Sequence, residues 1–530
     1  MQIVRIGDRS TKRHSAEAIG AKAANLARMA ALGLPVPPAF VLPVELCAAI
    51  VKGDANARRR VGAGLREGIA FLESATGLRF GDRRQPLLVS VRSGAARSMP
   101  GMLDTVLDVG CNLTAVHGLL RQTGHPRFAW DCRRRFIESF AHVVLSLDAA
   151  SFAAQRDALI AGEGVGGENA LDSEAVERLA HACQDVVEDH DAALPHDPME
   201  QLENATMAVY RSWMSERAQT YRRLQHLDDL AGTAVTVQAM VFGNRGLTSG
   251  AGVAFSRDPS TGAAQPVIDI LFESQGEDVV SGSRTPETDA AISRSLPAVA
   301  AQLHDTLTLL EKEFADVQDV EFTIEHGKLW LLQTRSAKRT PQAALRFAID
   351  FVHEGLLTPA HGLRRLDGVD LDTLAHERLV VAKPPAARGT PASAGMAVGR
   401  IAFDSASAQR LSAAGDPVIL VRPDTSTADV AGFAVAAGIV TAVGGRTAHA
   451  ALVARQMGRP CIVGCAALSI DGAGRRGALA GNALTEADWL SIDGESGAIY
   501  LGRCEVASER PEAELAEVAG WRSHALAQAS

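Results

Sequence analysis

Residues 444–455 read Gly-Gly-Arg-Thr-Ala-His-Ala-Ala-Leu-Val-Ala-Arg, and this stretch does most to decide the fold around it. A strand-like run at 438–443 leads into the Gly-Gly turn. Thr447 suits a helix N-cap, and 448–457 has helical spacing up to a terminating glycine. The sequence therefore predicts a strand, a glycine turn and a short helix, with His449 on the first helical turn.

His449 stands where a phosphoryl group can be held. The first backbone N–H groups of a helix have no intrahelical partner, and the helix dipole favours negative charge there. An imidazole at this point can carry a phosphoryl group, because the N–P bond places a dianion over those donors. The alternative is an ordinary histidine in a capping turn, which the position alone does not exclude.

Composition and charge limit the class of protein. The 530 residues are 47% hydrophobic and 22% charged, which predicts two to four soluble globular domains. There are 53 Lys and Arg against 62 Asp and Glu, a net charge of −9, so we expect no nucleic-acid partner and no membrane. The N-terminus lacks a signal-peptide pattern and the seven cysteines are scattered, which predicts a cytoplasmic location.

The pattern of elements predicts a multidomain α/β and α+β fold. We expect a first domain at about 1–340, with a helical insert at about 126–230. A segment at 341–388, helical at first and then rich in Pro and Ala, is predicted to be a linker. A compact α/β unit follows at 389–505, and 506–530 forms a C-terminal tail.

Three local predictions depend on spacing. One helix is predicted from Ala16 to Leu32, and the last stretch, from residue 505 onward, is predicted to be helical. Residues 162–167 fit a Gly-x-Gly-x-x-Gly pattern, but helical patterns flank them on both sides. A dinucleotide fingerprint needs a strand before it, so these glycines are predicted to form a loop between helices.

Two basic residues are candidates for phosphate contacts, although the chain has no Walker A loop. Lys22 lies among small residues at the start of a helix, and Arg92 ends a buried-type strand beside a loop of small residues. Such loops can approach phosphate with their N–H groups while Lys and Arg supply charge. Surface lysines and strand-end arginines are common, so neither residue is specific by itself.

A pair of predicted strands carries a candidate metal and phosphate surface. Asp319 and Glu321 alternate on one strand, and Gln333 and Arg335 alternate on the next, so each pair points to one face. Two antiparallel strands can bring these groups together, which suits Mg²⁺ bridging phosphate oxygens beside a guanidinium. The alternative is a solvated sheet face with ion pairs.

Several motifs in order resemble the pyruvate, phosphate dikinase and phosphoenolpyruvate synthase family. The family form of the histidine motif is close to Gly-Gly-Met-Thr-Ser-His-Ala-Ala-Val-Val-Ala-Arg, from which this chain departs at Arg446 and Ala448. The similarity runs from about residue 15 to about residue 505. The other matching motifs lie at 20–29, 34–38, 90–102, 241–244, 248–262, 275–280 and 318–324.

The resemblance implies an ATP-grasp nucleotide-binding domain followed by a swivelling phosphohistidine domain. It implies that His449 carries the phosphoryl group and that Arg92 and Arg335 supply catalytic charge. It implies Mg²⁺ as cofactor, bound through Glu321 and Gln333. The ATP-binding set that it implies is Lys22, Arg92, Asp319, Glu321, Gln333 and Arg335.

Within that set, Asp319 is expected to support the cluster around it. Asp269 stands where the family usually has Glu, which puts a nucleotide contact from that position in doubt.

The reaction that the resemblance implies is ATP- and phosphate-dependent autophosphorylation on His449, with release of AMP and pyrophosphate. The family's barrel that binds pyruvate and phosphoenolpyruvate needs roughly 250 residues, and the sequence ends at Ser530 where it would begin. We therefore expect a separate barrel protein as a partner. Two alternatives remain: a phosphoenolpyruvate synthase-like or other small-molecule phosphotransferase, and a non-catalytic ATP-binding regulatory carrier.

Overall fold

The computed structural model describes residues 3–7, 14–97, 99, 102–281, 284–424, 429–446, 449–471 and 476–529. Contacts between residues divide the chain into two compact units. Unit 1 comprises Met1–Val241 and Trp330–Gln333, and unit 2 comprises Phe242–Leu329 and Thr334–Ser530. The domain ranges predicted from the sequence are a different division of the chain and stay predictions.

Unit 1 is built on a five-stranded sheet with helices packed against it. Its strands are β1 (Val4–Ile6), β2 (Ala39–Leu42), β3 (Arg79–Phe80), β4 (Pro86–Leu87), β5 (Val89–Ala95), β6 (Thr105–Val109) and β7 (Thr233–Ala239). Its helices are α1 (Ala16–Ile19), α2 (Ala21–Ala31), α3 (Cys47–Val51), α4 (Ala55–Thr76), α5 (Leu113–Thr123), α6 (Pro126–Val143), α7 (Ala149–Glu163), α8 (Ser173–Asp189), α9 (Pro198–Arg211) and α10 (Glu216–Leu224).

The strand order in the unit 1 sheet is β1-β2-β7-β5-β6, with antiparallel neighbours throughout. Every residue of β2 and β7 is buried, so these strands form the centre of the core. Helix α9 packs against β5, β6 and β7, and α6 packs against β6 and α8. Burial of the apolar side chains of these elements is the main stabilising contribution to this unit.

The helix predicted from Ala16 to Leu32 is wrong at one point, because it is broken at Gly20. Gly20 has a φ of 79° and separates α1 from α2. A Cβ atom at residue 20 would lie 2.2 Å from the carbonyl oxygen of Gly94. The helix therefore breaks where its backbone meets the backbone of β5, a tertiary contact that helical spacing does not reveal.

One further local prediction in this unit is wrong: Arg92, expected at the end of a strand, lies in the middle of β5, which continues to Ala95. Two others hold. The segment 126–230 is mostly helical. The glycines at 162–167 lie at the end of α7 and in the loop that follows it, with Gly164 as the left-handed C-cap residue.

Unit 2 contains two large sheets. Its strands are β8 (Gly250–Phe255), β9 (Val267–Phe272), β10 (Glu287–Thr288), β11 (Gln318–Glu325), β12 (Lys328–Ser336, whose residues 330–333 belong to unit 1), β13 (His376–Val380), β14 (Ala387–Arg388), β15 (Thr390–Ser393), β16 (Met396–Ala402), β17 (Val418–Arg422), β18 (Gly438–Thr441), β19 (Cys461–Val463), β20 (Leu468–Ile470), β21 (Gly477–Leu479), β22 (Asn482–Leu484), β23 (Trp489–Asp493), β24 (Ala498–Leu501) and β25 (Glu505–Glu509). Its helices are α11 (Gly276–Ser281), α12 (Asp289–Ser295), α13 (Pro297–Phe314), α14 (Pro341–His353), α15 (Pro359–Arg365), α16 (Ser405–Ala413), α17 (Val430–Val435), α18 (His449–Met457) and α19 (Glu512–Ala529).

The first sheet of unit 2 has the order β10-β9-β8-β11-β12, and the register along β9, β8 and β11 is antiparallel. The second sheet has eight strands in the order β14-β24-β23-β16-β17-β18-β19-β15. Its central strands β16 to β19 are parallel, as expected for an α/β unit with helices between strands. Helices α16, α17 and α18 contribute to an apolar core with this second sheet.

The predicted all-helical C-terminal stretch is wrong for its first five residues. Glu505–Glu509 forms β25, which pairs antiparallel with β13. Helix α19 follows and packs against α14 and α15, with Val518 buried in their apolar cluster. The strand depends on a partner more than 120 residues earlier, so local spacing could not predict it.

The mixed α/β and α+β class predicted from the sequence is confirmed by these sheets and helices. In the parts of the chain that the structure describes, no helix combines the length and apolar surface needed to cross a membrane.

Candidate functional site

Lys22, Arg92 and Gln333, three of the predicted site residues, line one cleft in unit 1. Lys22 is the second residue of α2, Arg92 lies on β5, and Gln333 lies on β12. Gln238 of β7 lines the same cleft, and its side-chain oxygen lies 3.5 Å from Nη1 of Arg92. The cleft thus gathers an ammonium, a guanidinium and two amides, which are groups that bind phosphate and metal-bound oxygen.

The contact of Gly20 with Gly94 explains why Lys22 and Arg92 meet. Gly20 precedes α2 and Gly94 belongs to β5, and their backbones approach too closely for any side chain at residue 20. Lys22 follows Gly20 by two residues, and Arg92 precedes Gly94 by two. The glycine contact therefore holds the start of α2 beside the strand that carries the guanidinium.

In unit 2, Asp319 and Arg335 form a partly buried ion pair. Nε of Arg335 donates to Oδ2 of Asp319 at 2.8 Å, and the Asp319 side chain is only 1% exposed. Burial raises the pKa of Asp319, and the positive charge of Arg335 opposes that rise. Burial alone would lower the pKa of Arg335, but Asp319 and Glu321 raise it by more. The guanidinium is therefore oriented by its hydrogen bond to Asp319, and the charge of Glu321 adds to the effect of Asp319 on its pKa.

The register of the first sheet places three carboxylates on one face. Asp319 lies opposite Phe255 on β8, and Glu321 lies opposite Val253, which in turn lies opposite Asp269 on β9. Residues opposite each other in antiparallel strands share a face. Asp319, Glu321 and Asp269 therefore line the same side of this sheet.

The four groups of the predicted surface are assigned to two compact units. Asp319, Glu321 and Arg335 lie together in unit 2, whereas Gln333 lies in the unit 1 cleft with Lys22. Among the described residues, no group of three or more His, Cys, Asp or Glu side chains could hold a metal ion. Glu321 in unit 2 offers carboxylate oxygens and Gln333 in unit 1 offers an amide oxygen, and oxygen is the ligand type that Mg²⁺ prefers.

The predicted strand, turn and helix around His449 are confirmed for the described residues. Strand β18 ends at Thr441, the turn contains Gly444 with a φ of 112°, and α18 begins at His449. Thr447 and Ala448 lie outside the described residues, so the N-cap prediction for Thr447 is not tested.

Sequence reasoning missed the role of Arg455, which lies in the last turn of α18. It is 1% exposed, and it donates hydrogen bonds at 2.7 Å to the carbonyl oxygens of Ala392 and Arg446. Its guanidinium carbon lies 5.1 Å from the ring centroid of Phe255. Arg455 therefore links the turn before His449 to β15 and to the first sheet. An arginine at the end of a helix usually faces water, so the sequence gives no sign of this burial.

Helix α18 lies on the same face of the first sheet as the carboxylates. Leu452 packs into the apolar cluster that contains Val253 and Phe255, and Arg455 covers the ring of Phe255. Ser260, which follows β8, donates a hydrogen bond to the carbonyl oxygen of Ala392 at 3.0 Å. Unit 2 therefore holds the helix that begins at His449 against the sheet that carries Asp319 and Arg335.

Two family models match the chain. The pyruvate phosphate dikinase AMP/ATP-binding domain matches residues 57–300 and 287–354. The mobile domain of phosphoenolpyruvate-utilising enzymes matches residues 414–497, which contain α18.

Curated relatives are similar over nearly the whole chain. Pyruvate, phosphate dikinase of Clostridium symbiosum is 41% identical over 509 residues, which is 95% of this chain and 58% of the relative. Pyruvate, phosphate dikinase 2 of Zea mays is 40% identical over 512 residues, with 95% and 58% covered. Pyruvate, phosphate dikinase of Rhizobium meliloti (strain 1021) is 41% identical over 528 residues, with 95% of this chain and 58% of the relative covered. The chain thus spans a little more than half the length of these relatives, and it belongs to the pyruvate, phosphate dikinase family.

Proposed function

We propose that this chain transfers a phosphoryl group from ATP to His449, with orthophosphate as co-substrate and with release of AMP and pyrophosphate. One observation carries the proposal. The helix that begins at His449 packs on the sheet face that holds Asp319, Glu321 and Arg335. The chain matches a dikinase AMP/ATP-binding domain and a mobile domain of phosphoenolpyruvate-utilising enzymes, and this packing supports the proposal that His449 and the charged groups act together.

Each charged group has a role that follows from its position. Lys22 and Arg92 line one cleft and are proposed to hold the phosphates of ATP. Glu321 and Gln333 are proposed to hold Mg²⁺, which would neutralise charge on the phosphate oxygens when bound. Asp319 is too buried to touch solvent, so we assign it the support of Arg335.

Atom balance fixes the order of bond changes. For AMP to leave, an imidazole nitrogen of His449 must form a bond to the β-phosphorus while the bond from that phosphorus to the α-phosphate oxygen breaks. His449 then carries both terminal phosphoryl groups. Orthophosphate attacks the outer phosphorus, pyrophosphate leaves, and a single phosphoryl group remains on His449. Arg92 and Arg335 are proposed to stabilise the charge that develops during these transfers.

Transfer onward to pyruvate needs a binding site for that acceptor. We propose that a separate barrel protein supplies this site. The location that fits is a reducing compartment, because all seven cysteines of the chain are free thiols.

The test is single-turnover chemistry with purified protein, Mg²⁺ and ATP, with and without orthophosphate. We expect AMP and acid-labile phosphoprotein in both cases, and pyrophosphate only when orthophosphate is present. His449→Asn should bind ATP and form neither AMP nor phosphoprotein. Orthophosphate as the second product in place of pyrophosphate would favour the phosphoenolpyruvate synthase-like alternative, with water as the acceptor. ATP binding without any AMP would favour the regulatory carrier.

A further inference from the structure

The glycine turn before His449 makes a contact that leaves no room for a side chain. A Cβ atom on Gly445 would lie 2.2 Å from Cγ and 2.6 Å from Cδ of Pro286, and 2.7 Å from Oδ2 of Asp269. Carbon atoms in contact are normally about 3.5 Å apart, so a methyl group at 445 would have to move by about 1.3 Å. Gly445 is not among the residues with positive φ, so its backbone conformation does not itself require glycine.

A second turn of the same α/β domain touches the residue before Pro286. A Cβ atom on Gly464 would lie 3.1 Å from Cγ2 of Thr285 and 2.7 Å from the carbonyl oxygen of Gly444. Thr285 and Pro286 directly precede β10, at the edge of the first sheet. These two residues, which we call the 285–286 seat, therefore meet both the turn before α18 and the turn after β19.

The other contacts between α18 and the first sheet lie on the C-terminal side of His449. Leu452 and Arg455 anchor the middle and the end of α18 on the sheet. Gly445 lies four residues before His449, on the opposite side of it from these anchors. The helix is thus held at its C-terminal half by apolar and cationic contacts, and the turn before its first residue is positioned by the seat.

We propose that the 285–286 seat sets how closely the turn before His449 approaches the sheet face of unit 2 that carries Asp319 and Glu321, and that Gly445 is a positioning residue for phosphoryl transfer. The inference rests on the proposed function of His449. In-line attack needs the reacting atoms at about 3–3.5 Å, and a displacement of about 1 Å can cost about 10²-fold in rate. The shift of about 1.3 Å that a methyl group at residue 445 demands is of that size.

The test compares Gly445→Ala with a variant that relieves its clash. We expect Gly445→Ala to slow single-turnover autophosphorylation by about 10²-fold at saturating ATP, with ATP affinity unchanged. Pro286→Ala removes Cγ and Cδ, so Gly445→Ala combined with Pro286→Ala should regain most of the lost rate. Pro286→Ala alone should label near the wild-type rate. Gly162→Ala is the matched control, because a Cβ atom there meets no atom within 4 Å.

Pro286→Phe enlarges the residue that faces Gly445 and does not change the sequence of the turn itself. It replaces Gly445→Ala in this test if that variant does not fold. We expect it also to slow labelling without loss of ATP binding.

The outcomes separate this inference from the proposed function. If Gly445→Ala or Pro286→Phe is phosphorylated at the wild-type rate while His449→Asn is not phosphorylated, the positioning role of the 285–286 seat is refuted and the proposed function stands. A double variant as slow as Gly445→Ala, while Pro286→Ala alone is fast, would also overturn the seat. Wild-type labelling of His449→Asn would instead overturn the proposed function.

Discussion

Replacement of Arg335 by methionine should lower both the free energy of unfolding and the rate of autophosphorylation, because it removes the ion pair with Asp319. The variant keeps most of the side-chain length but removes the partner of Asp319, whose carboxylate is 1% exposed and 2.8 Å from Nε of Arg335. Breaking a buried pair from one side costs about 3–5 kcal/mol when the remaining charge stays ionised. Loss of one group that stabilises transition-state charge costs about 10²–10³-fold in rate.

The stability cost should depend on pH, because Asp319 can become neutral. Burial already raises its pKa in the wild type, and removal of Arg335 removes the largest opposing effect. A carboxyl group with a raised pKa binds more protons in the folded state than in the unfolded state. Its contribution is therefore greatest below the unfolded pKa of about 3.9 and is lost as pH rises through the folded pKa. We expect Arg335→Met to be destabilised more at pH 8 than at pH 5.

Urea unfolding between pH 5 and pH 8, together with the initial rate of autophosphorylation, measures both effects. The matched control is Asp319→Asn combined with Arg335→Met, which has no buried carboxylate and should lose the extra pH dependence while remaining slow. An Arg335→Met variant whose stability follows the wild-type pH profile would refute the assigned burial of Asp319. A variant that labels at the wild-type rate would refute the catalytic role of Arg335.

Three further predictions concern other parts of the chain. Lys22→Met should weaken ATP binding by about tenfold or more, measured by calorimetry, because it removes a cation from the unit 1 cleft that we propose to hold the phosphates; unchanged affinity would contradict that role. Asp131→Asn should lower the unfolding free energy by about 3–5 kcal/mol at pH 7, because Asp131 bonds both Arg134 and Arg135 while buried. Burial raises the pKa of Asp131, but the two arginines lower it by more. The contribution of the Asp131 carboxylate to the free energy of unfolding is therefore lost as pH falls below about 4. In urea titrations, the unfolding free energy of Asp131→Asn should fall less steeply with acid than that of the wild type. With a thiol reagent at pH 8, native protein should react at Cys504 alone, since the other six cysteines are buried, and a second fast-reacting thiol would contradict this.

Local patterns predicted the elements that short spacing determines. The strand, turn and helix around His449 follow from a glycine pair and a periodic apolar run, and the structure has them at 438–441 and 449–457. Alternation on two neighbouring strands predicted that Asp319 and Arg335 share a surface, and the structure has them in one ion pair.

Contacts between distant residues could not be predicted in this way. The break at Gly20 depends on Gly94, and β25 depends on β13. The burial of Arg455 depends on Phe255, a residue two hundred positions earlier on another sheet. In each case the local sequence is compatible with another structure, and contact with the distant residue determines which structure forms.

The roles of the site residues stay predictions, although their positions favour them. Gln333 and Arg335 alternate on β12 and so share a face of that strand, and Gln333 also lines the unit 1 cleft. Alternation predicts which residues share a face, and the chemistry assigned to the four groups stays a prediction.

The most direct test of the central claim is to map the phosphorylated residue after reaction with ATP and Mg²⁺. The protein is reacted with ATP that carries a label in its β-phosphate and is then digested at alkaline pH. The labelled peptide is identified by mass spectrometry. We predict a single labelled peptide that contains His449, with the label stable in base and lost in acid, and no label in His449→Asn. Label on any other residue, or label that survives acid, would contradict the account.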